Sequence, residues 1–371
     1  MKLSVSRDAF LARLGVAVRG VSTRSSIQTL SGVMLRAEGG ALGLQATDME
    51  IGVRVGVAAE VERDKPDVVL PGRLLLDVVR SLPNDDLALE YKSDRQDVEV
   101  VSGSARFQLR TLPSEDFPKL PTANGAPTLR VPAPAFVDTV GRVGRAASRD
   151  EARPHLTGVL VSAGGNELRM VATDSYRLAV KETKLEAAVA GEPLEVNVPV
   201  RALQELTRIA AADAAEEIEV AALDNQVVFT AGDVVLSSRL IEGRFPNYKQ
   251  LLPETYEHEL RLGRAELLDV VKRISLLAQK NAPLRMKFED GSLEVSAETP
   301  DIGEAREAIP APFKGETLEI GFNPEFLQDG LDSAESDELI LKLISPHRPG
   351  LIQSGDDGGF MYLVMPVRLN V

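Results

Sequence analysis

The chain has no cysteine and no tryptophan among its 371 residues, and only three histidines. Without cysteine there is no disulfide, no thiolate zinc site and no thiol nucleophile. His155, His258 and His347 stand too far apart in sequence for a metal-ligand spacing. Aromatic residues make up 4% of the chain, which leaves little for base stacking. Cations are outnumbered as well: 42 Lys and Arg against 56 Asp and Glu give a net charge of −14. A surface of that balance does not wrap phosphate as a whole. No run approaches the ~20 apolar residues of a membrane span. The opening MKLSVSRDAF meets Arg7 and Asp8 before an apolar stretch of leader length, so a cytoplasmic protein without membrane contact is expected.

Enzyme motifs are missing too. Neither G-x-G-x-x-G nor G-x-x-x-x-G-K-[ST] occurs, so no phosphate-cradling loop is indicated, and G-x-S-x-G is absent. GDDGG at 355–359 suits a hairpin turn better than a calcium loop. No catalytic constellation emerges, and neither a metal nor a cofactor is expected.

What the chain does have is repetition, and at 44% hydrophobic residues it is long enough for two to four domains. Three segments open with an alternating run followed by an amphipathic helix, from Lys2, Leu129 and Leu260. Ala46-Thr47-Asp48 and Ala172-Thr173-Asp174 recur at strand ends, and the third copy has drifted to Ala297-Glu298-Thr299. The recurrence suits an Asp that caps a strand turn better than a catalytic carboxylate. A second strand-then-helix element follows in each segment, so helix starts fall near 7, 72, 133, 200, 264 and 324. Units this long are duplicated domains rather than solenoid repeats. Period-two runs between the helices predict short antiparallel strands. The expected fold class is α+β: three similar domains, each of two helices and about eight antiparallel strands. Pro-containing connectors at 112–127 and 241–256 bound them at 1–125, 126–256 and 257–371.

On helical wheels, Phe136, Val137, Val140 and Val143 oppose Arg142, Arg145 and Arg149. Leu267, Leu268, Val271 and Ile274 oppose Lys272, Arg273 and Lys280. The second helix sets Arg73 and Arg80 against its apolar face, and the fourth sets Arg201 and Arg208. Five helical windows each carry a small positive charge, while the sixth carries Glu325, Asp329 and Asp332. Solvated helices often carry Lys and Arg, but five homologous basic faces in so acidic a chain point to a shared basic surface.

Taken together, the triplicated layout, the Ala-Thr-Asp strand ends, TDSYRLAV, the EGRFPNY connector and MPVRL near the end resemble the bacterial sliding-clamp family. These are the beta subunits, or processivity factors, of the replicative DNA polymerase III, and the resemblance covers residues 1 to about 369. It implies half of a closed ring, completed by a second identical chain head to tail, with helices inside and sheets outside. Double-stranded DNA would thread the hole without sequence preference. The ring would tether the polymerase, the clamp loader and other replication or repair proteins, and would be nucleoid-associated when on DNA. For DNA contact the resemblance and the basic faces give Arg24, Arg73, Arg80, Arg142, Arg145, Arg149, Arg153, His155, Arg201, Lys272 and Arg273. Pro154-His155 stands where some clamps carry adjacent aromatic residues.

The resemblance also implies a partner-peptide pocket. Leu156, Thr173, Tyr176, Arg177, Leu178, Pro246 and Leu251 would line it from one side, and Leu363, Val364, Met365, Pro366 and Arg368 from the other. Met365, Leu178 and Val364 would form the floor, with Arg177 and Pro246 on the rim. Aliphatic walls, a pliable Met and two arginines suit a peptide groove. Ser175-Tyr176 replaces the Gly-His often found in the family, and Asn370-Val371 extends past the usual end. The implied subunit seam sets Arg106, Phe107 and Leu109 against Leu276, Leu277, Asp301, Glu304 and Glu307. Phe107 and Leu109 fit equally well as inward residues of their own domain. Two other readings of the chain remain at this point: a repeat-built scaffold that binds only proteins, and an enzyme with its site between duplicated domains.

Overall fold

The computed structural model describes residues 1–371 apart from 84–85, 124, 127, 187, 189–192, 279–281, 356–358 and 370–371. The expected turn at 355–359, Lys280 and the Asn370-Val371 extension therefore lie wholly or partly outside the described residues.

Six α-helices occur among the described residues: α1 Arg7–Ala17, α2 Gly72–Ser81, α3 Ala133–Val143, α4 Val200–Ala212, α5 Arg264–Ser275 and α6 Pro324–Ser333. Their first residues coincide with the starts that the repeat spacing predicts. Phe10, Leu14 and Ala17 bury one stripe of α1, and Leu267, Leu268, Val271 and Ile274 do so for α5. Entry into α6 is fixed by Asn323, whose side chain accepts hydrogen bonds from the amides of Glu325 and Phe326, with Pro324 at the first helical position. One expectation needs correcting. The α-helical turn of α3 stops at Val143 and tightens into a 3₁₀ turn, Gly144–Ala146, so Arg149 lies beyond the helix. Gly141 and Gly144 weaken helix propagation there.

The fold forms two compact units, Met1–Pro134 with Arg201–Leu240, and Ala135–Val200 with Ile241–Val371. Each unit holds one five-stranded and one eight-stranded sheet, and the strand pairs described are antiparallel. In unit 1 the eight-stranded sheet joins Ile51–Ala58 to Val234–Arg239. In unit 2 it joins Arg177–Lys184 to Phe360–Val364. The middle repeat therefore gives half its strands to each unit. Contacts and sequence repeats divide the chain differently, because hydrogen bonding continues across the repeat boundaries. No helix among the described residues is long and apolar enough to cross a membrane. Among them, no group of three or more His, Cys, Asp or Glu is placed to hold a metal.

Candidate functional site

The two Ala-Thr-Asp segments build the same turn. Thr47 Oγ1 donates to the Ile51 carbonyl at 2.8 Å and accepts from the Met49 amide. Asp48 Oδ1 accepts from the amides of Glu50 and Ile51. In the second copy Thr173 Oγ1 donates to the Arg177 carbonyl at 2.7 Å, and Asp174 Oδ1 accepts from Tyr176 and Arg177. Met49 and Ser175 both take φ of 79°. The aspartates are turn caps, as their recurrence predicts.

In unit 2 this turn opens onto a groove. The Met365 amide donates to the Tyr176 carbonyl at 2.8 Å, and Leu178 pairs with Leu363 across the sheet. TDSYRL and LVMPVRL are thus sheet neighbours. A cavity of about 350 Å³ is lined by Thr173, Tyr176, Arg177, Leu178, Leu251, Leu363 and Met365 from the sequence expectation. Ser175, Gln250, Pro253, His347, Arg348 and Pro349 complete it. Leu251 is held in place because its connector packs Tyr248 onto Val171, Leu178, Val180 and Leu363. Tyr176, Leu251 and Met365 are 58%, 48% and 41% exposed, so three large apolar side chains meet in water at one place. Pro366 and Arg368 line an adjoining cavity of about 690 Å³ with Arg285 and Glu319, and His347 and Met365 stand between the two.

Several expected pocket residues are placed elsewhere. Leu156 and Val364 are buried and do not line the groove, and neither does Pro246. Arg177 lines the groove, but as a buried residue rather than an exposed rim. It is 5% exposed, bonded through Nε to Asp174 at 3.0 Å and through Nη1 to Asp329 of α6 at 2.5 Å. Its guanidinium also lies 4.3 Å from the centre of the Phe326 ring. Burial opposes the charge, yet the Tyr362 hydroxyl, Asp329 and Asp174 hold its pKa above the ordinary value. Burial likewise pushes the Tyr362 phenol up. Gly330 lets α6 approach, since a Cβ there would sit 2.5 Å from the Tyr362 ring. Arg177 pins α6 beneath the groove rather than reaching into it. His347, Arg348 and Gln250 were missed by sequence reasoning. The signal was the SPHRPG loop, which the pairing of Glu338–Leu343 with Gly350–Ser354 carries to the groove.

The basic helix faces are largely paired. Arg142 meets Asp138 at 3.0 Å and Glu335 at 3.3 Å. Arg145 reaches Asp329 and Asp332, and Lys272 reaches Asp332 at 3.4 Å. Arg149, 90% exposed, lies 3.9 Å from Glu325. The acidic sixth helix is thus the counter-charge to Arg145 and Arg149 just beyond α3 and to Lys272 of α5. Arg273 turns instead to Glu307 at 2.7 Å, and this hydrogen bond holds the Glu307 carboxyl below its ordinary pKa. In unit 1, Arg201 pairs with Asp48 at 2.6 Å and Arg80 with Asp77 at 3.5 Å. Arg24 and Arg73 are exposed and make no ion pair among the described residues. Arg153 bonds to Asp150 and reaches Ser175 at 3.3 Å, at the groove rather than on a helix face. The backbone carbonyl of the half-buried His155 accepts from Asn197.

One end strand of each five-stranded sheet, Ala105–Arg110 in unit 1 and Gly303–Pro310 in unit 2, is paired on one side only among the described residues. Leu109 is buried in its own unit and Phe107 is half-buried, so the inward alternative holds for Leu109. Arg106 lies 3.5 Å from Glu99. Leu276 is 77% exposed, and Ile302, unpredicted, is 49% exposed between Asp301 and the edge strand that carries Glu304. Leu277 is half-buried, and its carbonyl accepts from Thr299.

Three family models match: the N-terminal, central and C-terminal domains of the DNA polymerase III beta subunit, at residues 1–121, 130–247 and 249–368. The beta sliding clamps of Streptomyces coelicolor and Synechococcus elongatus are each 34% identical, with all of both chains covered. The crystal structure of the Pseudomonas aeruginosa DNA polymerase III subunit beta matches with a TM-score of 0.92 at 29% identity, again over all of both chains. A putative beta subunit from Eubacterium rectale gives 0.93 at 26%, also over both whole chains. With this three-domain α+β architecture, the chain belongs to the DNA polymerase III beta subunit family, the non-catalytic sliding clamps of the replicative polymerase.

Proposed function

We propose that two copies of this chain close head to tail into a ring around double-stranded DNA, each built from domains 1–125, 126–256 and 257–371. The observation that carries this reading is the pair of edge strands, Ala105–Arg110 and Gly303–Pro310, one in each unit and each open on one side among the described residues. Unpaired edges invite strand pairing, and exposed Leu276 and Ile302 beside the second edge supply apolar area. A homodimer uses both edges twice and leaves neither open. The sequence-independent DNA contact is assigned to Arg24, Arg73, Arg80, Arg142, Arg145, Arg149, Arg153, His155, Arg201, Lys272 and Arg273. Topology retains the ring, so weak phosphate contacts suffice and leave it free to slide.

The groove of Tyr176, Leu178, Leu251, Leu363 and Met365 takes apolar side chains from peptide segments of the polymerase, the clamp loader and other replication or repair proteins. Each buried anchor is worth about 1.5–3 kcal/mol before ordering costs. Two or three anchors suit micromolar binding and so permit exchange of partners. Tethering then raises the polymerase's effective concentration at the primer end. The working location is the cytoplasm, at the nucleoid.

The test of the ring is retention on circular DNA at raised salt followed by release on linearisation; loss at equal rates from both forms would sink it. For the groove, Tyr176→Ala with Met365→Ala should weaken polymerase binding at least tenfold with the unfolding transition unchanged. Undiminished binding would place the docking site elsewhere.

A further inference from the structure

One face of the unit 1 eight-stranded sheet alternates with the buried Leu35, Leu44, Val53 and Val55. Across it, Met34 pairs with Gln45 and Gln45 with Arg54; in the next row Arg36 pairs with Gly43 and Gly43 with Gly56. Phe117, Pro118, Lys119 and Leu120 of the first connector wall this face and leave a cleft of about 680 Å³. Its floor is bare, because a Cβ built at Gly56 would meet nothing within 4 Å.

The corresponding face of unit 2 is filled. Superposing the two Thr-Asp repeats puts Val171 and Val180 where unit 1 has Gln45 and Arg54. Both valines are buried against Tyr248 of the second connector. Arg169 and Glu182, in the places of Gly43 and Gly56, pair at 2.8 Å. Unit 1 thus has a cation in place of a valine and open space in place of an ion pair.

The cations of the cleft outnumber its available acids. Arg36 is bonded to Asp67 at 2.7 Å, and the lining Asp233 is engaged by Arg13 at 3.0 Å. The half-buried Arg54 guanidinium makes no ion pair or hydrogen bond among the described residues, and its Nε is buried without a partner. Burial, with Arg36 adding to it, lowers the Arg54 pKa. Exposed Lys119 is likewise unpaired among the described residues. A guanidinium left this way is costly until an anion reaches it.

We propose that this cleft is a second binding site, distinct from the groove of unit 2, for an acidic peptide segment of a partner protein. A carboxylate of the segment would lie on Arg54 and Lys119, and a neighbouring apolar side chain on Phe117, Leu120 and Val235. The bare Gly43–Gly56 floor admits the peptide backbone. The apolar wall of Phe117, Leu120 and Val235 calls for a side chain that a phosphate backbone lacks.

The probe is the capped peptide acetyl-Gly-Asp-Leu-Phe-Gly-amide, titrated against the full-length Tyr176→Ala/Met365→Ala chain, so that the unit 2 groove does not take its Leu and Phe, and compared with its Asn-for-Asp form. The Asp peptide should bind, at least tenfold tighter than the Asn form. Arg54→Gln and, separately, Gly56→Val should each cost at least tenfold. A Cβ at Gly56 meets nothing within 4 Å, so Gly56→Val should fill the floor with the unfolding transition unchanged, and the test survives if Arg54→Gln misfolds. Three results would overturn the proposal. These are no binding at millimolar peptide, affinity indifferent to Gly56→Val, or an octathymidylate that occupies the cleft more tightly than the peptide.

Discussion

At the turn end of the unit 1 sheet, Leu120 of the connector lies directly on Gly52: a Cβ there would come within 2.7 Å of the leucine and 2.6 Å of Ser237 Oγ. At the matching end in unit 2, position 52 becomes Leu178, Tyr248 of the connector packs against it, and Tyr176, Leu251 and Met365 surround open space. The turns beneath are hydrogen-bonded alike, so the backbone does not decide which end is open. Side-chain volume does. A glycine lets Leu120 lie on one sheet, whereas on the other the leucine packs under Tyr248 of the connector and forms part of the groove lining. The same exchange changes the charge under each turn. Buried Ile51 stands where unit 2 has Arg177, and Asp48 takes its cation from Arg201 of α4 instead.

That contrast in burial sets the largest expected effect. Asp329→Ala leaves Arg177 buried with one acidic partner fewer. Breaking such a pair typically costs about 3–5 kcal/mol, because the remaining charge cannot return to water. Arg201→Ala leaves Asp48 with its side chain 10% exposed, but the amides of Glu50 and Ile51 still bond its carboxylate, so a smaller loss of about 1–3 kcal/mol is expected. Denaturant unfolding of both variants checks the difference. Equal losses would mean that the two turns depend on their arginines alike.

Next come the two glycine–leucine positions. Leu178 is 2% exposed, so Leu178→Ala should cost about 2–4 kcal/mol and remove the groove floor together with peptide binding. Gly52→Ala forces Leu120 and Ser237 aside, an overpacking that typically costs about 1–3 kcal/mol. It should loosen the 112–122 connector, which limited proteolysis would detect as faster cleavage there. Unchanged cleavage would show that Leu120 does not hold the connector down.

Much of this was legible beforehand, for identifiable reasons. Helix starts were readable because each follows a strand directly and the duplication repeats the junction. Tyr176, Leu178, Leu251 and Met365 were reachable because the motifs that carry the family resemblance include or flank them. Arg177 was misread since a strand arginine beside a groove looks like a rim contact, and its partners Phe326 and Asp329 come from a helix far along the chain. The ion pairing of the basic faces was half visible: the acidity of α6 was plain, but not that α3 and α5 lie against it. His347 and Arg348 depended on a hairpin return that no local pattern fixes.

The smallest expected effect on stability separates Arg24 of unit 1, without an ion pair among the described residues, from the paired Arg145 of unit 2. Arg24→Ala and Arg145→Ala remove exposed side chains and should each change unfolding free energy by less than about 0.5 kcal/mol. Their effect belongs in the salt dependence of DNA retention, where each cation that neutralises a phosphate contributes about 0.9 to the slope of log K against log salt. Among the described residues Arg24 has no acid to leave, so its loss should remove nearly that full increment. Arg145 must first part from Asp329 and Asp332, at 3.5 and 3.2 Å, so its loss should remove less. Asp332→Asn relaxes both Arg145 and Lys272 and should steepen the slope. If Asp332→Asn leaves the slope unchanged while Arg145→Ala flattens it as much as Arg24→Ala, the α6 carboxylates do not compete with phosphate, and the basic faces act as though they were unpaired.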